Sequence, residues 1–157
     1  MSGARLAPGT GASNVATGVP LLDHLLTQFA LAGRFDLTLE IDPGAAVAEV
    51  DAAGAAVGNQ LAPLLKPGAH GTGVMLSAEA LAMVVVEASG TALVASNADL
   101  TGAAGLGTDL AARFLHSLAA AAALTLHVRL IEGEDSDHVL ESIFKALGVA
   151  LADALTS

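Results

Sequence analysis

The stretch Thr125-Leu126-His127-Val128-Arg129-Leu130, running on into Glu132-Gly133-Glu134-Asp135-Ser136-Asp137-His138-Val139-Leu140-Glu141, decides how this chain is read. Leu126, Val128 and Leu130 alternate with Thr125, His127 and Arg129, which is the period of a half-buried strand, so His127 points away from the core. Beyond Gly133 the period changes. Val139, Leu140, Ile143, Phe144, Leu147 and Leu151 recur at the spacing of an amphipathic helix, which starts at about Ser136 with that hydroxyl as its cap.

In that helix Asp137 and Glu141 stand one turn apart and His138 shares their end, beside the strand that carries His127. Two imidazoles and two carboxylates at one strand–helix junction can supply nitrogen and oxygen ligands to a divalent metal, and the carboxylates can also move protons. The same residues have a plainer reading. A helix dipole alone favours acids in a first turn, and an exposed His beside them needs no role.

Of the 157 residues 54% are hydrophobic, ample for one core, but only 3% are aromatic, so Leu, Val and Ala must fill that core around four Phe. Sixteen acidic residues stand against 6 basic ones for a net charge of −10, with no basic cluster to neutralise a phosphate backbone. No nucleic-acid partner is expected. Only Arg5, Arg34, Lys66, Arg113, Arg129 and Lys145 could hold a small phosphate. The absence of Cys excludes disulfides, thiolate zinc sites and Cys nucleophiles together, so any metal here is held by nitrogen and oxygen. The apolar runs Ala78 to Ala88 and Leu118 to Leu126 are too short or interrupted to span a bilayer, and the start lacks a signal peptide's pattern. A cytoplasmic protein without a membrane partner is the expectation.

Residues 1–18 are rich in Gly, Ala, Ser and Thr without periodicity, and are expected to form a flexible tail. Leu21, Leu22, Leu25, Leu26 and Phe29 then give a helical stripe with Asp23 and His24 at its start, ended near Gly33. Phe35 to Ile41 alternates as a strand and stops at the turn Asp42-Pro43-Gly44. Val47 to Leu65 reads as a helix closed by Lys66-Pro67-Gly68. Strands follow at Gly71 to Ser77 and Glu79 to Ala88, and Ser89-Gly90 reads as a hairpin turn into a strand from Thr91 to Ser96. Asp99 to Gly107 is a Gly-rich linker without phosphate-loop spacing, and Asp109 to Ala122 is helical. His24 alone reads as a helix-start imidazole bonded to backbone, and His70 and His116 as structural or exposed.

The order helix, strand, turn, helix occurs twice, around Leu37-Thr38-Leu39 and around Leu124-Thr125-Leu126. The expected fold is α/β in the two-layer α+β sense: one domain over 19–157, made of two similar halves at about 19–98 and 99–157. Each half is a small sheet with helices on one face, and the halves pack through their helices, so function should arise where halves or neighbouring subunits meet.

Thr17-Gly18-Val19-Pro20-Leu21-Leu22-Asp23-His24-Leu25-Leu26, Phe35-Asp36-Leu37-Thr38-Leu39, Val57-Gly58-Asn59-Gln60-Leu61 and Leu124 to Leu147 together resemble the imidazoleglycerol-phosphate dehydratases of histidine biosynthesis. The resemblance runs across nearly the whole chain. It implies the same duplicated fold, a hydro-lyase reaction, a large homo-oligomer built from trimers with sites at subunit boundaries, and a small imidazole or phosphate ligand. It also implies Mn2+ held by a His in an Asp-His motif, a His in the Thr-Leu-His strand, and a His-His-x-x-Glu motif after each repeated strand. Carried across, His24, His127, His138 and Glu141 are the metal ligands, and Glu141 with Asp137, which replaces the first His of the later motif, are the acid/base carboxylates.

The earlier motif departs from the pattern, with Val47 and Ala48 on its two His positions and Asp51 on its Glu. The resemblance places the family's substrate-binding Arg residues near His70-Gly71 and Thr91, which offer no guanidinium. At most one metal is therefore expected, and dehydratase activity is expected to be very weak or absent. The alternative is a non-catalytic paralogue acting as a binding, regulatory or structural subunit; a different reaction at a remodelled pocket is a third reading.

Overall fold

A computed structural model describes residues 2–98 and 110–156. The chain runs β1 (Gly3–Pro8), β2 (Ser13–Ala16), α1 (Pro20–Gly33), β3 (Phe35–Glu40) and α2 (Ala46–Leu61), then a short 3-10 turn at Ala62–Leu64. The second half continues β4 (His70–Ser77), β5 (Ala80–Glu87), β6 (Leu93–Ser96), α3 (Leu110–Ala122), β7 (Thr125–Glu132) and α4 (Ser136–Leu155). The expected linker at Asp99 to Gly107 lies outside the described residues.

The strands form a three-stranded sheet in the order β1-β3-β2 and a four-stranded sheet in the order β4-β5-β7-β6. Helices lie between the sheets: α1 packs on α4, α2 on α3, and α4 covers β4 and β5. Leu37 and Leu39 in one sheet and Leu126 and Val128 in the other turn inward onto this helical layer, where the fully buried Phe29, Phe35, Phe114 and Phe144 are the largest pieces. This is the duplicated two-sheet arrangement expected from the repeated helix–strand–helix order.

Three expectations are corrected. Residues 1–18 are not a tail, because β1 pairs antiparallel and β2 parallel with β3, on its two sides. Strands as short as Gly-Ala-Arg-Leu-Ala-Pro and Ser-Asn-Val-Ala carry almost no periodic signal, and neighbouring backbone, not side-chain pattern, specifies them. Ser89-Gly90 does not make a hairpin. Instead β4 and β5 are the hairpin partners, and β6 crosses over to pair parallel with β7, which lies between it and β5. The boundary between halves consequently falls between the 3-10 turn and β4, since β4, β5 and β6 all belong to the sheet of β7.

The two central strands are equivalent, but in a register two residues away from the Leu-Thr-Leu match. Helices α1 and α3 each end on a non-Gly residue in the left-handed region, Arg34 with φ 55° and Ala123 with φ 53°. Each of those residues accepts a hydrogen bond from a glycine, Gly9 N at 2.8 Å and Gly90 N at 3.1 Å. These landmarks align Phe35-Asp36-Leu37-Thr38-Leu39 with Leu124-Thr125-Leu126-His127-Val128. A shift of two leaves every apolar residue on the inner face, so the alternation could not choose between the registers.

The same equivalence holds at the helix crossings. A Cβ at Gly58 of α2 would lie 2.7 Å from the carbonyl oxygen of Leu118 in α3, and one at Gly148 of α4 would meet the carbonyl of Phe29 in α1. Phe29 and Leu118 occupy matching places before the two left-handed caps. Each half therefore uses a glycine at the same point to let two helices touch backbone to backbone.

Candidate functional site

Asp135, and not Ser136, caps α4: its Oδ1 accepts from the backbone N–H of Asp137 at 3.0 Å and of His138 at 3.2 Å. A carboxylate at this place satisfies two of the orphan donors of the first turn and adds favourable charge at the dipole's positive end. The cap fixes the direction in which His138 and Glu141 leave the helix.

Glu141, with 22% of its side chain exposed, bridges two elements. Its Oε2 lies 2.6 Å from Nε2 of His24 on α1, and its Oε1 accepts from the Ser77 hydroxyl at the end of β4 at 2.5 Å. The Ser77 hydrogen bond, helped by His24, holds the Glu141 carboxyl below its ordinary value against the opposing effect of burial. One turn away, Nδ1 of His138 lies 2.5 Å from Oε1 of Glu79. That contact raises the His138 pKa above its ordinary value and lowers that of Glu79.

The sequence-derived ligands thus fall into three places. His24 and Glu141 meet directly; His138 is tied to Glu79; His127 takes part in neither pair. It stands on the face of the second sheet turned away from the helices, in a depression of about 500 Å³ lined also by Met83, Val85, Ala95 and Arg129. Asp137 contributes a carboxylate oxygen, Oδ1, that is enclosed and has no hydrogen-bond partner. Among the described residues no group of three His, Asp or Glu comes together in a way that could hold a metal ion. The donor chemistry suits a divalent ion, with imidazole and carboxylate groups at one helix end, but one chain alone does not complete a ligand set.

Ser77 and Glu79 were not legible as site residues. Ser77 ends β4 and Glu79 is the second residue of the two-residue β4–β5 turn, and nothing in their spacing to α4 shows that the turn reaches Glu141 and His138. The acid at a hairpin turn is the one sequence signal, and it reads equally well as turn chemistry.

The equivalent helix contact, between α2 and α3, holds different chemistry. Helix starts and left-handed caps align His24 with Arg113, Glu141 with Asp51, and Asp137-His138 with Val47-Ala48. Arg113 donates to Asp51 through Nε at 3.2 Å and through Nη2 at 2.5 Å, a two-point ion pair in the position of the His24–Glu141 pair. Val47 and Ala48 are exposed and offer no donor.

These features define a duplicated α/β protein whose ionisable pairs lie where helices of opposite halves meet. Residues 17–151 match the family model for imidazoleglycerol-phosphate dehydratase. Two relatives of that description are similar in sequence. The protein of Acetivibrio thermocellus is 35% identical over 155 residues, covering 93% of this chain and 80% of its own length. That of Frankia casuarinae is 38% identical over 156 residues, covering 94% and 80%. The crystal structure of imidazoleglycerol-phosphate dehydratase from Staphylococcus aureus superposes with a TM-score of 0.84 at 31% identity, covering 96% of this chain and 90% of that one. The chain belongs to the imidazoleglycerol-phosphate dehydratase family.

Proposed function

We propose that this chain is an imidazoleglycerol-phosphate dehydratase-like protein that keeps one of the two repeated metal-binding motifs and turns over the family substrate very weakly or not at all. The contrast between equivalent positions carries the reading: His24 with Glu141 and His138 in one, Arg113 with Asp51, Val47 and Ala48 in the other. A fixed guanidinium fills the cation's place in the second, and no imidazole is there to bind a metal.

In the kept motif Glu141, ionised and oriented, is the group placed to accept or return a proton, and Asp137 supplies a second carboxylate. Mn2+, when bound, would stabilise the negative charge that builds as a carbon-bound proton leaves. His24, His138 and Glu141 would be its ligands from one chain. His127, on the opposite face of its sheet, would reach such a site only from another copy. The same face carries Val74, Leu76 and Ile131, all exposed apolar residues that would find cover in a homo-oligomer built from trimers. The ligand would be a small imidazole or phosphate compound in the cytoplasm. Among the described residues no helix is long and apolar enough to cross a membrane.

A non-catalytic binding or regulatory subunit is the second reading, favoured by the Arg113–Asp51 closure and by the lack of a guanidinium at His70-Gly71 or Thr91. Turnover of imidazoleglycerol phosphate by purified protein decides between them. Slow turnover that His138→Ala removes supports the weak enzyme, no turnover above a metal-only blank supports the subunit, and turnover at the level of an intact family member contradicts both. A monomeric mass at micromolar concentration would contradict the oligomer.

A further inference from the structure

The β4–β5 hairpin turn reaches the first turn of α4 twice. Ser77 donates to Oε1 of Glu141 at 2.5 Å from one side of the turn, and Glu79 holds Nδ1 of His138 at 2.5 Å from the other. Between them Ala78 has φ 50°, a left-handed conformation that a residue with a Cβ rarely adopts. The turn is thereby tight enough to project two polar side chains onto the same helix end. Ser77 itself is only 7% exposed, a buried hydroxyl whose hydrogen bond is fully committed.

We propose that the Ser77-Ala78-Glu79 turn is a positioning clamp that sets the donor atoms of the candidate site. Ser77 takes one oxygen of Glu141 and leaves the other aimed at His24, so the carboxylate has one orientation instead of several. Glu79 accepts the proton on Nδ1 of His138, which selects that tautomer and leaves the Nε2 lone pair for a ligand. Carboxylates and hydroxyls behind metal ligands commonly act in this way, and their loss typically lowers metal affinity by roughly 10–100-fold. The inference rests on the proposed use of Glu141 and His138, but its test does not.

Nitrogen-15 imidazole spectra of the metal-free full chain, recorded at a pH high enough that the His138 and His24 rings are neutral, compare wild type with Ser77→Ala, Ser77→Thr and Glu79→Gln. Wild type should show His138 as the Nδ1–H tautomer and His24 with Nε2 as the hydrogen-bonding nitrogen. Glu79→Gln should convert His138 to a tautomer mixture, and Ser77→Ala should do the same to the His24 signal, with Ser77→Thr restoring it. An unchanged His138 spectrum in Glu79→Gln, or an unchanged His24 spectrum in folded Ser77→Ala, overturns the clamp. Should Ser77→Ala not fold, Glu79→Gln decides alone, because Glu79 is solvent-exposed. In parallel, Mn2+ titration should show at least a 10-fold weaker affinity in either variant. Wild type that binds no Mn2+ removes the metal reading, while the imidazole spectra still decide the clamp.

Discussion

The halves of this chain follow one path and carry different chemistry. Both have a central strand flanked by an antiparallel and a parallel neighbour, both end a helix in the left-handed region, and both cross two helices at a glycine. Yet the contact of α1 with α4 pairs His24 with Glu141, and its counterpart, the contact of α2 with α3, pairs Arg113 with Asp51. Backbone contacts and apolar packing tie the residues of the shared path to many neighbours, whereas the paired groups are partly exposed and meet few other side chains. Substitution there changes charge and coordination without disturbing the core.

Packing is where the halves should agree. Phe29 stacks on Phe35 in the first half and Phe114 meets Phe144 in the second, each pair with ring centroids 5.5 Å apart. Phe35→Ala and Phe144→Ala should each lower stability by about 3–5 kcal/mol in urea titrations. A loss confined to one of them would show that the two ring pairs, which stand at different positions of the repeat, do not anchor their halves equally. Next in size, Gly148→Ala should cost about 2–3 kcal/mol and Gly58→Ala about 1–2 kcal/mol, because the added methyl meets a backbone carbonyl, more tightly at Gly148. Equal stability of either variant with wild type would show that the helices do not cross so closely.

The shared path was largely readable in the sequence and the divergent site only in part. Leu37 with Leu39 and Leu126 with Val128 marked the central strands, and the stripe from Val139 to Leu151 marked α4, because period and burial coincide there. The register of the repeat was not readable, since Leu-Thr-Leu fits two alignments that bury the same face. It matters for the site: the landmark alignment puts Thr38, not Glu40, opposite His127. Strands β1 and β2 are not readable because six and four residues with one or two apolar positions each show no alternation. His24, His138 and Glu141 were found as residue types near helix starts. That Arg113 fills the equivalent place, and that Ser77 and Glu79 reach α4, depends on long-range packing that no local spacing reports.

The charged pairs should contribute little to stability. Arg113 and Asp51 are 45% and 38% exposed, so Arg113→Ala should change stability by less than about 1 kcal/mol despite its two-point geometry. A larger loss would mean that this pair holds α2 of the first half against α3 of the second as well as filling the place of the His24–Glu141 pair.

The smallest expected effect is the pH dependence that Asp36 adds at the central strand of the first sheet. Backbone N–H groups of Thr10 and then Ala12 hold the Asp36 carboxyl below its ordinary value of 3.8. A carboxyl lowered on folding stabilises the fold above its unfolded pKa and loses that contribution as pH falls through the folded one. Thr125, the equivalent residue of the other sheet, cannot titrate there. Thermal melts of wild type should therefore lose stability below about pH 3.8 more steeply than those of Asp36→Asn. Parallel curves would show that Asp36 adds nothing to the difference between the sheets.

Mn2+ content per chain tests the central contrast most directly. Protein saturated with Mn2+ and freed of excess should retain no more than one equivalent, and His138→Ala should retain none, while Asp51→Ala keeps what wild type keeps. Two equivalents per chain, with one of them lost in Asp51→Ala, would show that the Arg113–Asp51 position still binds a metal and would contradict the proposed loss of one metal site.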